Sequence, residues 1–266
     1  MHRSRAKFSC KLQNCSKNYF SLLPRRIAGR SKMATVQNRM KLPPSIVATA
    51  TALVVCFPLV TGGQTGFFRS GPNDEIYRKA KRYNLAPVEK IDGVFIDMRY
   101  KVTSAAGKPL YRREMPCLVH KSTAEKLRKA NNILKAEGYA IKVWDAWRPP
   151  EAHLALWNAV KDPRFVVPPS KGLSWHCYGI SVDLTLVTKD GRAVAMPSKF
   201  DEFSDKAASR YAGGDPEIAK RVALLQATMR KVGFRTIQSE WWHFDDMTAR
   251  GGIMNVTAAD LGIAMP

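Results

Sequence analysis

The segment from Ser174 to Leu186 reads SWHCYGISVDLTL, and it predicts the central part of the fold. From Gly179 onward, apolar residues alternate with Ser, Asp and Thr, which is the period of a β-strand. Because successive side chains of a strand point to opposite faces, Asp183 lies on the face away from the apolar residues. His176 stands just before this strand, so a histidine and an aspartate are expected near one end of it.

Further elements follow from hydrophobic period and flanking residues. The clearest helix starts with a capping box of Ser122 and Glu125 and ends before Gly138. The other predicted elements are helices over 74–83, 149–157 and 215–232, and strands over 93–100, 139–145 and a last strand containing Trp241 and Trp242. The absence of repeats and low-complexity linkers predicts one α+β domain from about residue 64 to the end.

The net charge of +21 is unevenly distributed. From Met1 to Lys41 there are eleven Lys or Arg residues and no acidic residue, which leaves 32 basic and 22 acidic residues, a net charge of +10, in the rest of the chain. A basic protein can bind nucleic acid or an anionic cell-wall or membrane surface. No basic stripe interleaved with aromatic residues is found, and no zinc finger or RNA-binding motif, so we expect no nucleic-acid partner.

Residues 1–63 are predicted to be a basic presequence with a signal peptide. The run from Ile46 to Val60 is free of charge and follows basic residues, which is typical of the apolar region of a signal peptide. It is shorter than the roughly 20 residues that a membrane span needs, so no stable span is expected. We therefore expect a periplasmic or secreted protein, with an N-terminal membrane anchor as the alternative.

Two cysteines, Cys117 and Cys177, lie in the predicted domain. They could form one disulfide in an oxidising compartment or remain small buried thiols, and we favour the buried thiols. No CxxC pair is present, which excludes a cysteine-rich zinc site.

Five residues could supply the chemistry of a hydrolytic metal site. Such a site needs three protein ligands and one open position, and His176, Asp183 and His243 could be these ligands. Glu240, three residues before His243, could accept a proton, and Arg148 could stabilise an oxyanion.

Each of these residues also has a simpler interpretation. Arg148 could form a surface ion pair, Asp183 could be a hydrogen-bonded sheet residue, and Trp241 and Trp242 could belong to the core. About sixty residues separate Asp183 from His243, and spacing alone does not show that the two meet.

Four motifs in order resemble the zinc D-alanyl-D-alanine dipeptidases, the VanX-like branch of the zinc D,D-peptidase family. The motifs are Asp97-x-Arg99-Tyr100, Trp144-Asp145-Ala146-Trp147-Arg148-Pro149, Ser174-x-His176-x-x-Gly179-x-x-x-Asp183 with Met196-Pro197-Ser198-x-Phe200-Asp201, and Glu240-Trp241-Trp242-His243. The resemblance covers most of residues 90–245 and implies a mainly antiparallel sheet flanked by helices, with the zinc site on the sheet.

The resemblance also implies a role for each site residue. His176, Asp183 and His243 would bind one zinc ion per chain. Glu240 would be the catalytic base, and Arg148 would stabilise the tetrahedral oxyanion. Two residues are implied in substrate binding: Asp201, which would receive the free ammonium of a dipeptide, and Ser174.

The chain departs from the family pattern at three places near the site. Trp147 stands where the family usually has Tyr, Ser181 replaces a common Ala, and Cys177 with Tyr178 replaces more polar residues. The expected function is hydrolysis of the D-Ala-D-Ala dipeptide in cell-wall peptide metabolism. A D,D-carboxypeptidase that trims stem peptides and a non-catalytic cell-wall-binding protein are the alternatives, and the sequence does not give the oligomeric state.

Overall fold

The computed structural model describes residue 71 and residues 73–266, which contain both helices and strands. The elements are α1 (Asp74–Arg82), β1 (Leu85–Pro87), β2 (Phe95–Ile96), β3 (Leu118–His120), α2 (Lys121–Ala136), β4 (Tyr139–Asp145), α3 (Pro150–Val160), β5 (Ser181–Thr188), α4 (Pro216–Lys231), β6 (Arg235–Thr236), β7 (His243–Asp245) and α5 (Ala258–Leu261). Short 3₁₀ helices occur at Val88–Lys90, Arg99–Lys101, Pro169–Lys171, Trp175–Tyr178 and Asp205–Ala207.

The main sheet has the strand order β2-β4-β5-β7-β6. Only β2 and β4 pair in parallel, and the other neighbours are antiparallel. Strands β1 and β3 form a separate antiparallel pair. The predicted α+β domain with a mainly antiparallel sheet and flanking helices is therefore confirmed.

Strand β5 is the most deeply placed element of the sheet. Every residue from Ser181 to Val187 is buried, because helices and loops cover both faces of the strand. Helix α2 packs against β4 and α4 through an apolar stripe that includes Leu127 and Leu134. Helix α4 is capped by Asp215, whose carboxylate accepts hydrogen bonds from two backbone amides of the first turn.

The clearest predicted helix and the last predicted strand begin at other residues than expected. Helix α2 starts at Lys121, and its cap is His120, whose Nδ1 accepts from the Ser122 amide at 3.3 Å. The predicted capping box of Ser122 and Glu125 is wrong, because β3 leads directly into the helix. The last strand begins at His243 and excludes Trp241, whose amide donates instead to the Ala207 carbonyl at 2.8 Å.

The strand predicted over 93–100 is also shorter than expected. Only Phe95 and Ile96 pair with β4, and the chain then coils into the 3₁₀ helix Arg99–Lys101. This turn buries Tyr100, whose carbonyl accepts from the amides of Leu110 and Tyr111. The chain therefore buries the Tyr100 ring and uses the Tyr100 carbonyl in these two hydrogen bonds, and it makes no further strand pairs with β4 here.

Other features bear on the remaining predictions. Cys117 and Cys177 are both buried free thiols, as favoured above. Within residues 71 and 73–266, no helix combines the length and apolar character needed to cross a membrane. The predicted signal peptide, the N-terminal anchor and the domain boundary near residue 64 lie outside the described residues.

Candidate active site

Three neighbouring strands bring the central acidic and imidazole groups into one row. In the antiparallel register, Asp183 of β5 lies opposite Asp145 of β4 on one side and opposite His243 of β7 on the other. An irregularity between Val143 and Asp145 shifts the β4 register at this point. Because directly opposite residues share a face of the sheet, the three side chains meet although they come from distant segments.

His176 reaches this row from the 3₁₀ helix Trp175–Tyr178, which is capped at its N-terminus by the Ser174 side chain. Gly179 ends the helix with a φ of +67°, and a Cβ at this position would lie 2.7 Å from Leu85 Cδ2 and 3.0 Å from the His120 amide nitrogen. Only glycine satisfies both the backbone angle and the close packing, so Gly179 allows the histidine to precede β5 so closely.

Hydrogen bonds fix which nitrogen of each imidazole faces the site. His176 Nδ1 lies 2.7 Å from the Ala146 carbonyl oxygen, so it carries the proton and leaves Nε2 free. His243 Nε2 lies 2.8 Å from Asp245 Oδ1, which leaves Nδ1 facing inward. The inward nitrogen of His243 lies 2.9 Å from Asp183 Oδ1 and 3.3 Å from His176 Nε2.

The donor set fits a divalent transition metal. One ligand atom each from His176, Asp183 and His243 lies within 4.8 Å of the others, and these are nitrogen and carboxylate ligands that zinc accepts. The outer nitrogens of both rings are held by hydrogen-bond acceptors, as is usual around metal-binding histidines. Burial lowers the pKa of His243, but its hydrogen bonds to Asp183 and Asp245 outweigh burial and raise it well above the usual value. The surroundings thus stabilise positive charge at this point.

Glu240 lies beside the three candidate ligands. Its Oε2 is 3.8 Å from His243 Nδ1, and its exposed fraction is 6%. Burial raises the pKa of the Glu240 carboxyl to about 8, with His243 opposing the shift and Asp183 adding to it. A carboxyl group so placed can exchange a proton with a molecule in the site.

Arg148 is buried, so the interpretation as a surface ion pair is wrong. Its Nε and Nη2 atoms donate to Asp145 Oδ2 at 2.9 and 2.8 Å, and Tyr111 donates to Asp145 Oδ1 at 2.8 Å. The guanidinium also lies over the Tyr100 ring, 5.3 Å from its centre. Its Nη2 is 3.7 Å from Asp183 Oδ2, which places a fixed cation next to the candidate ligands.

A cavity of about 260 Å³ encloses these groups. The predicted site residues all line it: Arg148, Ser174, His176, Asp183, Asp201, Glu240 and His243. Asp201 has a φ of +56°, a left-handed conformation that is uncommon for a residue other than glycine. Burial raises the pKa of Asp201 to about 7, and the charge of Asp183 adds to this shift. The structure therefore brings together every residue that the sequence assigned to the site.

Some residues of the site were not predicted. Asp145 accepts two hydrogen bonds from Arg148, and Asp245 accepts one from His243, yet neither had been given a role. Asp245 follows His243 by two residues on a strand, so the same-face rule could have found it. Tyr111 carries no local pattern that points to Asp145, because the two are 34 residues apart.

The chain matches the family model of the M15 peptidases, described as D-Ala-D-Ala dipeptidase, over residues 80–259. The chain belongs to the peptidase M15 family. All four motifs of the sequence analysis fall inside the matched residues. The members of this family are generally zinc-dependent, and the protein is thus a metallopeptidase.

Proteins similar to this M15 peptidase are known in several bacteria. It is 34% identical over 151 residues to the D-alanyl-D-alanine dipeptidase of Escherichia coli (strain K12), covering 56% of this chain and 77% of that protein. It is 29% identical over 176 residues to the D-alanyl-D-alanine dipeptidase of Enterococcus faecium, covering 59% of this chain and 87% of that protein. The enzyme of the same name from Enterococcus faecalis (strain ATCC 700802 / V583) is 28% identical over 176 residues, with the same coverage.

Proposed function

We propose that this protein is a zinc-dependent dipeptidase that hydrolyses D-Ala-D-Ala to two molecules of D-alanine. The observation that carries the proposal is the convergence of His176, Asp183 and His243 ligand atoms within 4.8 Å, beside the Glu240 carboxylate. The names of the related enzymes from Escherichia coli and Enterococcus faecium support the choice of substrate.

We assign His176, Asp183 and His243 as the protein ligands of one zinc ion per chain. Three such ligands leave a fourth position open, as catalytic zinc sites require. Zinc bound there would lower the pKa of a water molecule toward neutrality and polarise the scissile carbonyl.

We assign Glu240 as the catalytic base and acid. Its carboxylate takes a proton from the attacking water and then passes this proton to the amine that leaves. Because Glu240 is buried beside the candidate ligands, the carboxyl group is close to the reacting atoms and shielded from bulk solvent.

We assign Arg148 to stabilisation of the negative charge that develops on the carbonyl oxygen. Asp145 holds the guanidinium with two hydrogen bonds, so its remaining donors are already oriented before the substrate arrives. In a buried site such fixed donors stabilise charge more strongly than they would in water.

Asp201 and Ser174 are assigned to the substrate. A free dipeptide carries an ammonium group, and the half-buried Asp201 carboxylate offers it an opposite charge in the cavity. An N-acylated stem peptide lacks that charge and would leave Asp201 without a partner. This difference favours a dipeptidase over a D,D-carboxypeptidase.

The full chain can be tested with free D-Ala-D-Ala and with an N-acetylated tripeptide that ends in D-Ala-D-Ala. We expect release of D-alanine from the free dipeptide at the higher kcat/KM, lost on chelation and restored by zinc. A preference for the blocked peptide would make the protein a D,D-carboxypeptidase. Peptidoglycan binding without hydrolysis, unchanged by Glu240→Ala, would make it a non-catalytic wall-binding protein.

The ligand assignment has its own test. We expect His176→Ala to lower the zinc content of the purified protein, whereas the exposed substitution Asp190→Ala leaves one ion per chain. Equal zinc content in wild type and His176→Ala would remove His176 from the ligand set.

We also propose that the protein acts in the periplasm or outside the cell, on peptides derived from peptidoglycan. The uncharged run from Ile46 to Val60 after a basic segment supports export. Intact mass of the protein recovered from the periplasm and from membranes would test this. A mature chain that keeps residues 46–60 and fractionates with membranes would favour the anchored alternative.

A further inference from the structure

Asp245 belongs to a second row of side chains, next to the row of Asp145, Asp183 and His243. In the sheet register it lies opposite Ser181 of β5 and opposite Arg235 of β6. Residues two positions apart on a strand share a face, so Asp245 and His243 point to the same side of β7. The sheet thus places a carboxylate directly behind the imidazole of His243.

Within the described residues, the carboxylate of Asp245 accepts hydrogen bonds from three of these neighbours. Its Oδ1 accepts from His243 Nε2 at 2.8 Å and from Ser181 Oγ at 2.6 Å. Its Oδ2 accepts from Arg235 Nη2 at 3.0 Å. The residue is buried with 4% of its surface exposed, and these donors compensate for the burial of its charge.

We propose that Asp245 is a positioning residue for the metal and acts through His243. This inference rests on the proposed metal site. A neutral imidazole has one protonated and one free nitrogen, and His243 can offer Nδ1 to a cation only if Nε2 keeps the proton. The Asp245 carboxylate accepts that proton in a hydrogen bond, so it selects this tautomer and fixes the plane of the ring.

Arg235 connects the second row to the other histidine. Its guanidinium lies over the Trp175 ring, 5.5 Å from the centre, and Trp175 directly precedes His176. The Arg235 side chain is 55% exposed at the cavity wall, so its charge is partly screened by water. Arg235 therefore adds a weaker, solvent-screened contact to Asp245. The hydrogen bonds of Asp245 with Ser181 and His243 are shorter and lie in the interior.

The test is zinc affinity of the metal-free full chain, measured by competition with a chromogenic chelator. We expect Asp245→Ala to weaken zinc binding by about 10–100-fold, the range found for such outer hydrogen-bond partners. Asp245→Asn keeps an oxygen that can accept a hydrogen bond from Nε2, so its loss of zinc affinity should be near the lower end of this range, about 10-fold. Asp190→Ala removes an equally charged but exposed carboxylate and should bind zinc as the wild type does.

A second readout separates positioning from a general loss of structure. The visible spectrum of the cobalt-substituted protein should shift in Asp245→Ala and partly recover in Asp245→Asn.

Wild-type zinc affinity and cobalt spectrum in a folded Asp245→Ala protein would overturn the proposal. If Asp245→Ala fails to fold, as judged by circular dichroism, Asp245→Asn and Ser181→Ala take its place, and unchanged zinc affinity in both would overturn it equally. None of these measurements uses a peptide. Failure of the proposed D-Ala-D-Ala hydrolysis would appear separately, as absence of turnover by a wild type that still binds zinc.

Discussion

Arg148 donates two hydrogen bonds to a single oxygen of Asp145, from Nε at 2.9 Å and from Nη2 at 2.8 Å. The other oxygen of Asp145 accepts from the Tyr111 hydroxyl, and neither charged side chain is open to solvent. The pair therefore fixes the orientation of the guanidinium. Each charge is buried, so each is stabilised only as long as the other is present.

Removal of Asp145 should destabilise the fold strongly. Asp145→Ala leaves the Arg148 charge buried without its carboxylate, and loss of one partner of a buried ion pair costs about 3–5 kcal/mol. Urea unfolding of the metal-free protein measures the change. The exposed pair of Arg192 and Asp190 is the matched control, and Asp190→Ala should have a much smaller effect on the free energy of unfolding. Equal effects of the two substitutions would contradict this prediction.

Removal of Arg148 should act on catalysis rather than on substrate binding. Arg148→Ala is expected to lower kcat for D-Ala-D-Ala by about 10²–10³-fold with little change in KM, as for other oxyanion donors. Arg148→Lys keeps the charge but loses the planar pair of hydrogen bonds to Asp145, so it should recover only part of the rate. Steady-state kinetics separates the two constants. A change confined to KM would assign Arg148 to substrate binding instead.

The aromatic wall of the cavity should limit the length of the substrate. Phe165 and Phe203 come from different loops, and their rings stack with centres 4.6 Å apart at the cavity wall. Phe203→Ala removes one of these rings and makes room for a longer substrate. It should therefore raise kcat/KM for an N-acetylated tripeptide relative to D-Ala-D-Ala by about 10-fold, near the lower limit of the discrimination that one pocket contact provides. The exposed Leu154 of α3 offers a control, since Leu154→Ala should leave the ratio unchanged. An unchanged ratio in Phe203→Ala would mean that the stacked pair does not restrict access.

His153 should make stability depend on pH below neutrality. Burial, reinforced by the Arg148 charge, lowers the pKa of His153 from 6.5 to about 4. As the pH falls below 6.5, His153 becomes protonated in the unfolded chain, whereas in the folded protein it stays neutral down to about pH 4. Proton binding therefore favours the unfolded state, and the free energy of unfolding decreases between pH 6.5 and pH 4. The loss attributable to this group is at most about 3 kcal/mol.

The matched variant is His153→Gln, whose amide does not titrate and can still donate to the Val167 carbonyl, which accepts from His153 Nε2 at 3.0 Å. Chemical unfolding of both proteins at pH 7 and pH 4.5 isolates the histidine, because the carboxylates titrate in both. The wild type should lose more stability than the variant. Parallel losses would show that His153 is not a source of the pH dependence.

Several features could be predicted from local sequence. The alternation after Gly179 predicted β5, the apolar stripe predicted α2, and both fall close to the observed ranges. Motifs with fixed internal spacing predicted the residues of the site, all of which line one cavity. These predictions succeed because hydrophobic period and short-range spacing are properties of neighbouring residues.

Other features depended on contacts that are distant in sequence. The strand predicted over 93–100 is shortened because Tyr100 is buried, and the cap of α2 is His120 because β3 leads directly into the helix. The link of Tyr111 to Asp145 joins residues 34 positions apart and leaves no local pattern. Local propensity cannot anticipate such contacts, since they form only once the core has packed.

The sequence by itself determined which side chains were available for chemistry: two histidines, an aspartate, a glutamate and an arginine in ordered motifs. It also determined that Asp183 would lie on a strand and that a glycine would follow the His176 turn. Only the tertiary structure decided that His243, sixty residues from Asp183, stands directly opposite it, and that Asp245 stands behind His243. The physical reason is strand register, which is set by hydrogen bonds between β5 and β7 and by burial of both faces of β5 rather than by the spacing of residues along the chain.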